Sequence, residues 1–190
     1  MTSEKFKNKY TIKSARLQNY DYSQNGMYFV TICTKDKEYF FGDVKNGEMV
    51  LNDVGKMANK YWHEIPAHFP FVKLDEFVVM PNHVHGIVEI AKNIDASVET
   101  QNFASLQNER GNKSGPQSKN LASIIRGFKV GVKKYTTKNE IYFQWQPRYY
   151  DQIIRNEISL NKIREYIQIN PMMRERDRNN VENIWGNIQT

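Results

Sequence analysis

With a single cysteine, Cys33, the chain can hold neither an internal disulfide nor a cysteine-built zinc centre. This fits a reducing compartment, and a cytoplasmic location is the expectation. No uninterrupted apolar run approaches the roughly 18 residues that a spanning helix needs, and the mean hydropathy is −0.71, so no association with a membrane is expected. The first twenty residues are basic, yet no apolar stretch follows that could act as a secretory h-region. A phosphate-cradling glycine loop of the P-loop pattern is missing, as is a convincing acidic triad. These absences argue against an ATPase and against a carboxylate-metal nuclease. Histidine is scarce, at four in 190 residues, and no internal repeat is found.

What is present suits one domain over residues 1–190. The composition, 39% hydrophobic and 13% aromatic, is enough to bury an ordinary core. The net charge is +6, and residues 121–178 carry all of that excess, with 12 Lys and Arg against 6 Asp and Glu. A basic C-terminal third can be a solvated face, or the footprint of a polyanion such as nucleic acid.

Met27 to Thr34 is aromatic and β-branched and reads as a buried strand. Lys45-Asn46-Gly47-Glu48 is a hairpin signal between Tyr39–Val44 and Met49–Leu51. Asn52 or Asp53 can cap a helix to about Ala67, with Met57, Ala58, Tyr61, Trp62 and Ile65 at helical spacing. Val72–Met80 and His83–Ile90 follow as strands, linked tightly by Pro81-Asn82. Residues 92–120 change character: 12 of 29 are Asn, Gln or Ser and only six are hydrophobic, the signature of a long insertion loop. A helix then presents Leu121, Ile124, Ile125, Phe128, Val132 and Tyr135 on one face. Tyr142–Ile154 reads as a strand interrupted near Pro147. A last helix runs from a cap at Asn156 to Asn170, stopped by Pro171. In the polar tail, Val181, Ile184 and Trp185 could dock as one short turn. The order predicts an α+β fold, a ferredoxin-like βαββαβ core on an antiparallel sheet with one added C-terminal helix.

Two of the four histidines, His83 and His85, stand at i and i+2 on a predicted strand and therefore share a face. Val84, Val88 and Ile90 point the other way, which leaves the histidine face for solvent or a ligand. Such a pair can bind one divalent metal, or be two ordinary strand histidines. On the last helix Tyr166 and Asn170 lie one turn apart beside the apolar stripe of Leu160, Ile163 and Ile167. They can face the histidines across the helix–sheet seam, or be a seam residue and a simple cap. Trp145-Gln146-Pro147-Arg148-Tyr149-Tyr150 sets stackable rings beside a guanidinium, which suits unpaired bases or a packed strand. Arg126, Lys129 and Lys133 line a basic helical face, with Arg148 and Arg155 beyond it, and are expected to contact DNA phosphates.

PNHVHGIVEI after an apolar strand, then WQPRYYDQIIRN, then REYIQINP, resembles in content and order the single-tyrosine HUH transposases of insertion sequences, most closely their REP-associated branch, over about residues 25–175. The resemblance implies that His83 and His85 ligate Mg²⁺ or Mn²⁺, with Val84 as the hydrophobic residue between them. It implies Tyr166 as nucleophile and Asn170 as third metal ligand, where many insertion-sequence members supply Gln. It also implies single-stranded DNA with hairpin elements as the substrate, and a homodimer. The 92–120 loop is longer than in compact relatives, a departure that touches hairpin contacts rather than the active-site residues.

The chemistry is self-consistent. A phenol attacking a phosphodiester builds negative charge on the non-bridging oxygens, which a cation held by two imidazoles and an amide oxygen can absorb. The phosphotyrosine conserves the bond energy for rejoining. Two competitors are an inactive nucleic-acid-binding module of the same fold and a phosphohydrolase in which metal-bound water attacks.

Overall fold

A computed structural model describes Leu17 and residues 20–92 and 118–174. Its elements are β1 (Gly26–Cys33), a 3-10 turn (Lys35–Lys37), β2 (Gly42–Lys45), β3 (Glu48–Leu51), α1 (Asp53–His63), α2 (Ile65–His68), β4 (Val72–Met80), β5 (His83–Ile90), α3 (Leu121–Lys138), β6 (Tyr150–Ile154) and α4 (Glu157–Ile169). The main sheet has the order β4-β5-β1-β6, with every neighbouring pair antiparallel. Set aside the β2–β3 hairpin, and β1-α1-β4-β5-α3-β6 is the expected βαββαβ core, with α4 as the added helix.

Local chemistry accounts for most boundaries. Asn46 and Gly47 turn the hairpin with φ of 53° and 78°, the doubly left-handed geometry that such a pair supplies best. The side chains of Asn52 and Asn156 accept from Gly55 and Ser159 and start α1 and α4. Asn120 and Ser123 form a reciprocal capping box at the head of α3, so the chain is already committed to a helix where the insertion was expected to end. Most of that insertion, residues 93–117, lies outside the described residues, as do the tail positions Val181, Ile184 and Trp185.

Three boundaries differ from expectation. β2 begins at Gly42 rather than Tyr39, because Phe41 is fully buried and its N–H goes to the carbonyl of Pro81. The α1 helix stops at His63, and Pro66, which has no N–H to donate, sits in the first turn of α2. The Tyr142–Ile154 strand shrinks to Tyr150–Ile154, preceded by one isolated bridge between Thr34 and Trp145. Pro147 cannot donate to a ladder, and the carbonyls of Phe143, Gln146 and Arg148 are taken by lysine ammoniums of α3.

The sheet's two faces are unequal. One carries the main core, where Trp62 of α1 stacks on Phe77 at 4.8 Å with Phe128 of α3 edge-on to it. Gly86 makes room for that indole: a Cβ there would stand 2.2 Å from Trp62 Cζ2. The opposite face holds a small cluster in which Leu160 and Ile167 of α4 cover Ile87 and Ile154. Each buried aliphatic of this size contributes roughly 1.5–3 kcal/mol, so apolar packing holds α4 far less firmly than it holds α1 and α3.

Candidate active site

His83 and His85 project from β5 onto the α4 side, as period-2 alternation requires. Of the two expectations for this face, solvent or a ligand, the first does not hold: His83 is 0% and His85 2% exposed. Tyr166 of α4 covers His85, and His83 packs between His85 and Asn82. The two imidazole centroids are 4.4 Å apart.

Each ring is oriented through Nδ1. Asn82 donates its amide to the Lys37 carbonyl at 3.0 Å, which turns its Oδ1 toward His83 Nδ1, 2.7 Å away. An amide oxygen only accepts, which makes Nδ1 the protonated nitrogen and puts the lone pair of His83 on Nε2. Burial pushes the His83 pKa down to about 3, with the charge of Lys37 acting in the same direction, so the ring is neutral, as a metal ligand must be. His85 Nδ1 pairs with Thr31 Oγ1 at 2.9 Å, and Phe29 stacks on the ring at 5.3 Å. Its Nε2 pairs with the hydroxyl of Tyr166 at 3.2 Å, the phenol donating in the tautomer that gives Nδ1–H to Thr31.

Asn170 follows Tyr166 by one helical turn, at the C-cap of α4. It is 2% exposed at the end of α4, and its buried Oδ1 has no hydrogen-bond partner. Asn170 caps α4 through its backbone N–H to the Ile167 carbonyl and not through its side chain. Leaving a buried acceptor unmade costs about 1–3 kcal/mol. Two imidazole nitrogens and an amide oxygen are borderline donors that fit a divalent ion. Tyr166, 38% exposed, stands at the rim of this set.

The other sequence-predicted residues do not converge here. Lys129 Nζ donates to the carbonyls of Gln146 and Arg148 at 2.6 and 3.2 Å, and Lys133 Nζ to that of Phe143 at 2.7 Å. Both ammoniums therefore tie the 143–148 segment to α3, and burial lowers the pKa of Lys129 to about 8. Arg126 is exposed and lines a groove of about 810 Å³ with Phe69 and Phe71, on the α3 side of the sheet. Arg148 and Arg155 are exposed at either end of β6. A second cleft, about 700 Å³, lies between the Lys35–Lys37 turn and Gln144–Pro147, with Trp145 in its wall. It adjoins the histidines through Lys37, Asn82 and His83. Sequence reasoning did not single out Asn82 and Thr31. The available signals were adjacency to the His-Val-His motif and, once β1 and β5 pair, a register that sets Thr31 opposite His85.

No family model matches the chain. It is 44% identical over 169 residues to an uncharacterised protein of Haemophilus influenzae, covering 87% of this chain and 91% of that one. It is 23% identical over 158 residues to a putative REP-associated tyrosine transposase of the same organism, covering 82% and 77%. A solved structure of a REP-associated tyrosine transposase bound to a REP hairpin superposes with a TM-score of 0.52 at 19% identity, covering 82% of this chain and 72% of that one. The fold is thus that of the REP-associated tyrosine transposases, and the resemblance to them holds in sequence as well. Within that setting the chain belongs to the same family as the uncharacterised H. influenzae protein. Among the described residues no helix is long and apolar enough to cross a membrane.

Proposed function

We propose that the protein is a metal-dependent endonuclease and strand transferase for single-stranded DNA, with Tyr166 as nucleophile. The observation that carries this reading is the Tyr166 hydroxyl at 3.2 Å from His85 Nε2, with the buried, unbonded Oδ1 of Asn170 one helical turn away. His83, His85 and Asn170 would hold Mg²⁺ or Mn²⁺, which when bound would supply positive charge where the scissile phosphate gains negative charge.

In the reaction, the Tyr166 oxygen forms a new bond to phosphorus, the bond from phosphorus to the 3′ oxygen breaks, and the proton lost by the phenol balances the one gained by the departing 3′-OH. The 5′-phosphotyrosine keeps the bond energy for rejoining, so no nucleotide cofactor is required. The lone pair on His85 Nε2 can serve the phenol or a cation but not both. Both halves of the site come from one chain, and a homodimer, if formed, would carry two of them.

The substrate we infer is single-stranded DNA bearing a hairpin, the kind of element that the structural neighbour holds. The cleft between Lys35–Lys37 and Gln144–Pro147 suits the unpaired strand next to the scissile phosphate: it offers lysines for phosphate and an indole and amides for bases. The test is incubation with hairpin-bearing oligonucleotides and Mn²⁺, followed by a denaturing protein gel and mass mapping of any adduct. An adduct on Tyr166 is expected. Cleavage with no adduct would transfer the reading to a water-attacking phosphohydrolase, and binding without cleavage to an inactive module.

A further inference from the structure

The ladder between β4 and β5 slips between Leu74 and Phe77, so Asp75 and Glu76 stand outside the regular pairing. Consecutive residues of a regular strand point to opposite faces. At this bulge both carboxylates reach the same helix. Asp75 accepts from Arg164 Nε at 2.8 Å and from Nη2 at 2.6 Å, one oxygen for each nitrogen, and Glu76 accepts from Gln168 Nε2 at 3.0 Å. Arg164 and Gln168 are one turn apart on α4, and Tyr166 lies midway between them in sequence.

We propose that Arg164 and Asp75 are positioning residues that fix the rotation of α4 and thereby the place of the Tyr166 oxygen. The inference rests on the reading of Tyr166 as nucleophile. A two-bonded guanidinium–carboxylate pair constrains angle as well as distance, which a point-charge contact would not do. Angle matters because the phenolic oxygen is far from the helix axis: with Cα atoms at about 2.3 Å from it, a tyrosine oxygen reaches roughly 8 Å, and a rotation of ~10° carries it about 1.4 Å. Displacements of that order cost up to about a hundredfold in rate when a nucleophile must meet its target. The apolar contacts of α4 do little to prevent such rotation, since only Leu160 and Ile167 are buried in its face. Bulges often re-aim side chains beside active sites, and here the residues re-aimed are the two that grip the nucleophile's helix.

The experiment compares Asp75→Asn and Arg164→Lys with the parent protein and with a control, Lys56→Gln, which disturbs an exposed ion pair to Asp53 on α1. One arm measures the rate constant of adduct formation at saturating oligonucleotide, normalised to folded protein, together with oligonucleotide affinity. A fall of about ten- to a hundredfold in rate, with affinity within a few fold and the control unchanged, is expected. The second arm needs no activity: amide exchange over residues 164–170 should accelerate in both variants and stay unchanged in the control. Parent-like normalised rates would overturn the proposal, as would parent-like exchange in α4. Should the parent itself give no Tyr166 adduct, the functional reading fails, and the exchange arm still decides whether the pair holds the helix.

Discussion

Asn170→Leu should separate the stability of the protein from its capacity for a cation, and should move the two in opposite directions. Asn170 Oδ1 is buried with no hydrogen-bond partner, a situation that costs about 1–3 kcal/mol. Leucine removes the acceptor, and its extra volume takes back part of the gain, so a net stabilisation of about 1 kcal/mol is expected without metal. For a chain of this size that is roughly 2–4 °C in Tm. With Mn²⁺ the order should invert. A ligand at a hundred times its Kd stabilises the folded state by about 2.7 kcal/mol, or roughly 5–11 °C, and the variant has lost one of three donors. The assay is paired thermal melts of parent and variant, in EDTA and across a Mn²⁺ titration, with Mg²⁺ as a second series. Crossing curves are the expected result. A variant that keeps the parent's Mn²⁺ shift would remove Asn170 from the donor set.

Tyr166→Phe should abolish adduct formation while costing only about 0.5–1.5 kcal/mol for the missing bond to His85; an adduct that persists in this variant would refute the nucleophile. The folded pKa of Lys129 is lowered to about 8 from 10.5. Between those values the unfolded chain binds more protons, so this group's contribution to stability rises with pH there and is constant below about pH 8. Urea melts at pH 7.5 and 9.5 should show the rise in the parent and not in Lys129→Met, and equal slopes would dismiss the shift. Alanine at Arg126, Arg148 or Arg155 should lower the salt slope of DNA binding by roughly 0.7–0.9 for every phosphate that the arginine neutralises. Lys133→Ala should instead loosen the 143–148 segment and leave the slope alone.

Patterns that depend on one element were legible in the sequence. The caps at Asn52 and Asn156, the Asn46-Gly47 turn and the period of His83 and His85 are local, and the structure has each where the spacing puts it. Features that need two elements at once were not legible. The cover that Tyr166 gives His85 needs α4 and β5 together, and nothing in His-Val-His itself says which face the last helix will meet. The basic stripe of α3 shows the same limit. Helical spacing aligns Arg126, Lys129 and Lys133, but the partners of both lysines are carbonyls ten to nineteen residues farther along the chain. Pro147 was the clue: a segment that cannot ladder must satisfy its carbonyls elsewhere. The bulge at Asp75 and Glu76 has no composition signal at all, since β4 reads as an ordinary strand.

The proposed function also implies an order in which a phosphate would meet the site. His83, His85 and Asn170 are buried, whereas Tyr166, bonded to His85, is 38% exposed, so on that reading a substrate would meet the phenol first. The chain offers a direct check because its four histidines divide evenly: His63 and His68 are exposed, and His83 and His85 are buried. Acylation by diethylpyrocarbonate, followed by mass mapping, should modify His63 and His68 quickly. For the strand pair it should be slower by roughly tenfold for every 1.4 kcal/mol needed to open the structure around them. His85 has a further protection, since its Nε2 is engaged by the Tyr166 hydroxyl; in Tyr166→Phe it should react faster while His83 keeps its slow rate. Four histidines reacting at one rate would mean that the strand pair is not buried in solution. The neutral His83 and the phenol–imidazole bond would then lose their physical basis together.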